Sequence, residues 1–230
     1  MQSAIRRGKP SFSTSSAEIR HPGLVDRLVE HVFTAVLEGR LKHGSGVTED
    51  QIAVDFGVSR TPVREAVRRL AEMGVLVVRP RCGLEVASFD EQDLNQITLL
   101  RAELECFALR LAMARMGADE IEALVRAATA CETKLRNGSR IEIFRADSQF
   151  HLLLAEFSGN LHLAETLRRL DVKVQLCRMV FYASMTSENR ERAVQQHQKI
   201  IEAIRKQRTI QAEKLLREHI LTMNWEHIER

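Results

Sequence analysis

The stretch Val58-Ser59-Arg60-Thr61-Pro62-Val63-Arg64-Glu65-Ala66-Val67-Arg68-Arg69-Leu70 decides how the rest of the chain reads. Proline lacks an N–H and is tolerated only in the first turn of a helix, and Ser59 just upstream can accept amides that this turn leaves free. A helix is therefore expected from about Arg60. Along it Val63, Ala66, Val67 and Leu70 recur at helical spacing as an apolar stripe, while Arg60, Arg64 and Arg68 share another face at steps of four. Upstream, Ile52, Ala53 and Phe56 form a shorter helical pattern that stops at Gly57. Two helices joined by a tight turn make the helix-turn-helix plan, in which the second helix enters the major groove with its N-terminal residues at the base edges. Taken alone, the three arginines also fit the solvated face of an ordinary surface helix.

After Gly74 the period shortens. Val75-Leu76-Val77-Val78 is rich in β-branched residues, Arg79-Pro80-Arg81-Cys82-Gly83 is a basic turn, and Leu84-Glu85-Val86 is a second short run. Two brief strands around such a turn make a wing. From about Val36 to Val86 the chain resembles the winged helix-turn-helix regulators of the GntR family. The residues that carry the resemblance are Leu41, Gly44, Glu49, Ile52-Ala53, Gly57 through Ala66, Arg69-Leu70, Gly74 and Gly83. It implies that Ser59, Arg60, Thr61 and Arg64 contact operator phosphates and bases and that the wing turn around Gly83 reaches the minor groove. Guanine suits Arg60 or Arg64, because a guanidinium matches its O6 and N7 with two hydrogen bonds. Two positions depart from the family pattern: His43 replaces a usual proline, and Asp50 stands where some members place an arginine on DNA, so no contact is assigned to it.

At 230 residues with 44% hydrophobic composition, the chain can bury a core in one large or two modest domains. Residues 1–88 hold thirteen Lys or Arg against ten Asp or Glu, and residues 89–230 hold twenty-one of each, so the net charge of +3 falls in the proposed DNA-reading part. Cys82, Cys106, Cys131 and Cys177 have neither zinc-binding nor redox-pair spacing, which fits free thiols in a reducing cytoplasm. Cys82, beside an arginine in the wing turn, is a minor candidate for redox sensing. No run of about twenty apolar residues suggests a membrane span, and residues 1–20 lack the apolar segment of a secretory signal. That start reads as a flexible arm with Arg6, Arg7 and Lys9 available to touch DNA.

The expected fold is mainly α, with a winged helix-turn-helix domain over residues 21–88 and an all-helical bundle over 89–230. A first helix is expected from Leu24 to Leu41. A boundary is expected near Ser88 to Asp90, where Asp90 offers a cap to the following helix. Beyond it there is no proline and little glycine. Turn signals at Gly117-Ala118-Asp119, Asn137-Gly138-Ser139, Ser158-Gly159-Asn160, Ser184 to Asn189 and Arg208-Thr209 divide this part into six helices, each with an apolar stripe.

Asp147 and His151 lie four apart, so they project from one helix face. His197 aligns with Ile200, Ile201 and Ile204, and His219 follows Leu215 and Leu216, so both look inward. A buried carboxylate and three imidazoles are costly to desolvate unless something unites them. A divalent metal would do so, with zinc suiting the donor set and nickel or manganese as other occupants; separate hydrogen-bonded core residues are the rival reading. This half resembles the FCD-type ligand domain of the FadR branch of the family. The resemblance implies that Asp147, His151, His197 and His219 hold a metal. Arg101 shares a face with Ile97, Leu104 and Ala108. By the same resemblance it grips the acid group of a small organic effector, and the alternative is an ion pair with Glu103, Glu105 or Asp147.

Together these features point to a transcriptional regulator, expected to be a repressor. It would bind double-stranded operator DNA as a homodimer on a short inverted repeat, under control of a small organic acid. A metal-dependent enzyme acting on a small carboxylic acid is the alternative, since three histidines and an aspartate can activate water. No separate Glu or His stands out as its general base. A purely architectural DNA protein, the third reading, would ignore small acids.

Overall fold

The computed structural model describes residues 23–79, 83–181 and 187–222. The arm residues Arg6, Arg7 and Lys9, and Cys82 of the wing turn, lie outside them. The chain begins with α1 (Leu24–Leu37), followed by β1 (Gly46–Val47), α2 (Glu49–Phe56), α3 (Arg60–Glu72), β2 (Leu76–Arg79) and β3 (Gly83–Val86). Expected to run to Leu41, the first helix instead ends at Leu37, with Glu38 as its C-cap.

Thr48 starts α2 through a reciprocal box. Its hydroxyl accepts from the Gln51 amide at 3.1 Å, and its own amide donates to the Gln51 side chain at 3.0 Å. Gly57 closes α2 at φ 61°, a left-handed conformation that a Cβ would strain. Ser59 is the N-cap of α3, but its hydroxyl makes no capping bond. The cause lies in the sequence: Pro62 sits third in the helix and has no N–H there to donate.

The sheet order is β1-β3-β2, all antiparallel, with Leu76 opposite Val86 and Arg79 opposite Gly83. β1 lies between the first two helices, where no strand is expected from the sequence. It forms because Gly46 and Val47 pair with Glu85 and Leu84, and because Val47 is buried. Apolar residues of α1 and α3, Ile52 of α2 and residues of the sheet close one core.

Six helices follow: α4 (Glu91–Met113), α5 (Ala118–Asn137), α6 (Arg140–Phe157), α7 (Leu161–Phe181), α8 (Ser187–Arg205) and α9 (Thr209–Thr222). The junctions before α5, α6, α7 and α9 fall at the turn signals, whereas α8 already begins at Ser187, inside the stretch Ser184 to Asn189 expected to be a break. Asp90 caps α4 by accepting from the Asp93 amide at 2.8 Å, and Ser139 with Glu142 boxes the start of α6. A second core joins Leu109 of α4, Leu124 of α5, Phe150 and Leu154 of α6, Ile200 of α8 and Leu216 of α9. A third lies between α4 and α7, around Ala108, Leu163 and Leu167. No helix among the described residues is long and apolar enough to cross a membrane. Cys106, Cys131 and Cys177 are free and buried.

Candidate functional site

On α3 the apolar stripe expected from the sequence is the buried one: Val63, Ala66, Val67 and Leu70 face the core. Ser59, Arg60, Thr61 and Arg64 are exposed together at its N-terminal end. Gly83, exposed at the start of β3, has φ 88°, which favours glycine at the wing turn.

The arginines of α3 are not free cations. Arg60 makes a two-point contact with Asp50, Nε to Oδ1 at 2.7 Å and Nη2 to Oδ2 at 3.0 Å. Arg64 Nε donates to Glu49 at 3.1 Å, and Arg68 pairs with Glu65 and Glu72. These side chains are well exposed, so each pair contributes little and can be exchanged for phosphate or a base edge. The partners Glu49 and Asp50 come from the preceding helix, across a turn that helical periodicity does not span.

In the bundle, α6 carries Asp147 and His151 one turn apart, α8 supplies His197 and α9 supplies His219. All four are buried, and one ligand atom from each lies within 4.8 Å of the others. His151 Nε2 and His197 Nε2 each stand 3.1 Å from His219 Nε2. Asp147 oxygens lie 3.7 Å from His151 Nε2 and 3.4 Å from His197 Nε2. Donors bound to zinc at about 2.0–2.1 Å in a tetrahedron would be roughly 3.3 Å apart.

The proton positions also suit a cation. Glu105 Oε2 lies 2.6 Å from His151 Nδ1 and can only accept, so Nδ1 carries a proton and Nε2 is the nitrogen turned toward the cluster. Gln196 Oε1 does the same for His219 from 3.1 Å. The Nε2 atoms of His151 and His219 thus face each other at 3.1 Å, a separation that a shared cation can bridge. Burial pushes His197 down to about 3 and holds His219 well below its ordinary value, so both stay neutral. Burial works to raise Asp147, but the charge of Arg178, which donates to it, outweighs that and keeps the carboxyl ionised. Metal ligands need these protonation states. The residues therefore fit a divalent metal.

Arg101 is buried, and its Nε donates to Glu105 at 2.5 Å. Of the alternatives open in the sequence, Glu105 is its ion-pair partner, whereas Glu103 pairs with Arg217 on the surface. Arg101 Nη2 has no hydrogen-bond partner among the described residues. Burial favours protonation of Glu105, yet Arg101 and His151 hold it down at about 2. Glu105 thus links the arginine to a member of the cluster.

Sequence reasoning assigned no role at the cluster to Arg178, whose Nη1 donates to Asp147. Its visible signal is a lone cation within the apolar run Leu176-Cys177-Arg178-Met179-Val180. Asp171, which accepts from Ser148 at 2.7 Å and from Gln175 at 2.7 Å, was also not singled out.

Two family models match the chain: "Bacterial regulatory proteins, gntR family" over residues 24–86 and "FCD domain" over residues 96–222. The chain belongs to the GntR family. This GntR regulator is 33% identical to the HTH-type transcriptional regulator YdhC of Bacillus subtilis over 173 residues, 74% of this chain and 76% of YdhC. It is 28% identical over 211 residues to a Paenarthrobacter nicotinovorans protein named "Probable D-xylose utilization operon transcriptional repressor", with 91% of each chain covered. Among solved structures, that of Escherichia coli McbR/YncC superposes with a TM-score of 0.74 at 23% identity, covering 86% of this chain and 93% of McbR. The family and these relatives are transcriptional regulators, not enzymes.

Proposed function

We propose that this GntR regulator belongs to the FadR branch and represses transcription in the cytoplasm, binding a short inverted repeat in operator DNA as a homodimer. Ser59, Arg60, Thr61 and Arg64 contact the major groove and its phosphates, and the turn at Gly83 contacts the minor groove. Asp147, His151, His197 and His219 hold a divalent metal, zinc before nickel or manganese. Arg101 binds the carboxylate of a small organic acid. When bound, the metal supplies a positive charge and a coordination position for a ligand oxygen. Arg101 orients the acid, and Glu105 fixes both the guanidinium and the His151 imidazole.

The observation that carries this reading is the buried Asp147–His151–His197–His219 cluster with a buried arginine beside it that keeps one donor unpaired. Repression is supported by the name of the Paenarthrobacter relative. For the homodimer, α4 offers Leu100 and Phe107, two turns apart and exposed at 51% and 41%. The domain limits proposed are 21–88 and 89–230, after an arm over 1–20.

Thermal shift of the full chain against a panel of carboxylic acids, with zinc or with a chelator, tests the reading. Zinc is expected to raise Tm, and one class of acids to raise it further only when zinc is present. Stabilisation by an acid that chelator leaves intact would remove the metal from the site, and no response to any acid would favour an architectural protein.

A further inference from the structure

One wall of the cavity beside Arg101 and one wall of the DNA-reading domain are the same helix. Leu167, Leu170, Asp171 and Val174 of α7 line that cavity opposite Arg101 and His151. Its volume of about 10 Å³ leaves room for roughly one water. A carboxylic acid therefore enters only by displacing its wall. Arg178, one turn beyond Val174 on the same face, holds Asp147 of the histidine cluster.

Leu176 lies two residues from each, so it points from the opposite side of α7. It is fully buried, and it belongs to the core formed by α1, α3 and the sheet. Val172 and Met179 pack against that core from the same helix. The turn after α3 also abuts α7, where a Cβ on Gly74 would lie 3.4 Å from the Lys173 side chain. From α6, Arg145, two residues before Asp147, pairs with Glu30 and donates to Thr34 of α1 at 3.1 Å.

We infer that α7 couples the ligand site to the DNA-reading domain: displacing its inner face at Val174 and Arg178 moves Leu176, and with it the packing of α1 and α3. The inference rests on the function proposed above and names its route of regulation. Because coupling is reciprocal, whatever factor metal binding exerts on operator affinity, operator DNA must exert on metal affinity.

The test uses the full chain, zinc or chelator, and a duplex selected from a random pool by the wild-type protein. Zinc is expected to change the operator Kd by about tenfold, within the usual range of such couplings. It is also expected to change hydrogen exchange along α7 and into α1 and α3 when no DNA is present. Val172→Ala combined with Met179→Ala should leave the zinc Kd within about twofold of wild type and reduce the tenfold factor to less than about twofold. If the pair does not fold, Val172→Ala alone, which trims a half-buried side chain, should still lower the factor measurably. An undiminished factor in these variants, or exchange changes confined to α6, α8 and α9, overturns coupling through α7 while leaving the regulated reading intact. A wild-type protein that binds operator equally with chelator, with zinc, and with zinc plus each acid that raises Tm removes the regulated reading itself, and α7 coupling with it.

Discussion

Arg64→Ala is expected to weaken binding to the preferred operator by about 5- to 150-fold, the range of one bidentate base contact, while binding to random duplex falls far less. The side chain is exposed near the start of α3, on a helix whose opposite face is fully seated in the core, so its loss leaves the fold intact. Arg64 must leave Glu49 to reach DNA, and the exposed pair offers little resistance. Asp50→Asn should act in the opposite sense, because it frees Arg60 and removes a negative charge from the DNA-facing side. Affinity for all duplexes is expected to rise a few-fold, with a steeper dependence on salt. Competition titrations of the two variants against specific and random duplexes read both effects. Arg64→Ala with unchanged discrimination would remove α3 as the reading element.

Much of this was legible in the residues because the signals are local. Pro62 and Gly57 fix where α3 begins and where α2 stops, and Gly138-Ser139 and Ser158-Gly159-Asn160 fall between helices as their turn chemistry requires. Asp147 and His151 share a face through helical spacing alone. Bringing His197 and His219 to them needed the resemblance, since no local pattern relates α6, α8 and α9. What escaped is non-local. β1 exists only through pairing with β3, Asp50 meets Arg60 across a turn, and Arg178 reaches Asp147 from another helix. Ser59 shows a different failure: its type suits a cap, but Pro62 removes one of the two amides such a cap accepts.

His219→Ala is the second large effect. A metal at about 100 times its Kd stabilises the folded state by about 2.7 kcal/mol, and a chain of this size gains about 2–4 °C of Tm per kcal/mol. Zinc should therefore raise the wild-type Tm by roughly 5–10 °C at that saturation. His219 is the donor that both other imidazoles approach at 3.1 Å, so its removal opens the middle of the cluster. The variant is expected to lose the zinc-dependent rise. His162→Ala, at an exposed position on α7, is expected to keep it. A full zinc response in His219→Ala would place the metal elsewhere, and a response lost equally in His162→Ala would point to non-specific binding.

Selection of bound duplexes from a randomised pool, followed by salt titration of the winner, tests most directly that an exposed helix end reads DNA under the control of the helical domain. The expected result is enrichment of an inverted repeat. Its log Kd should rise with log salt at about 0.9 per phosphate contacted, and its affinity should differ between zinc and chelator. Recovery of no preferred sequence over random duplex, with zinc, with chelator and with the acids that raise Tm, would contradict it.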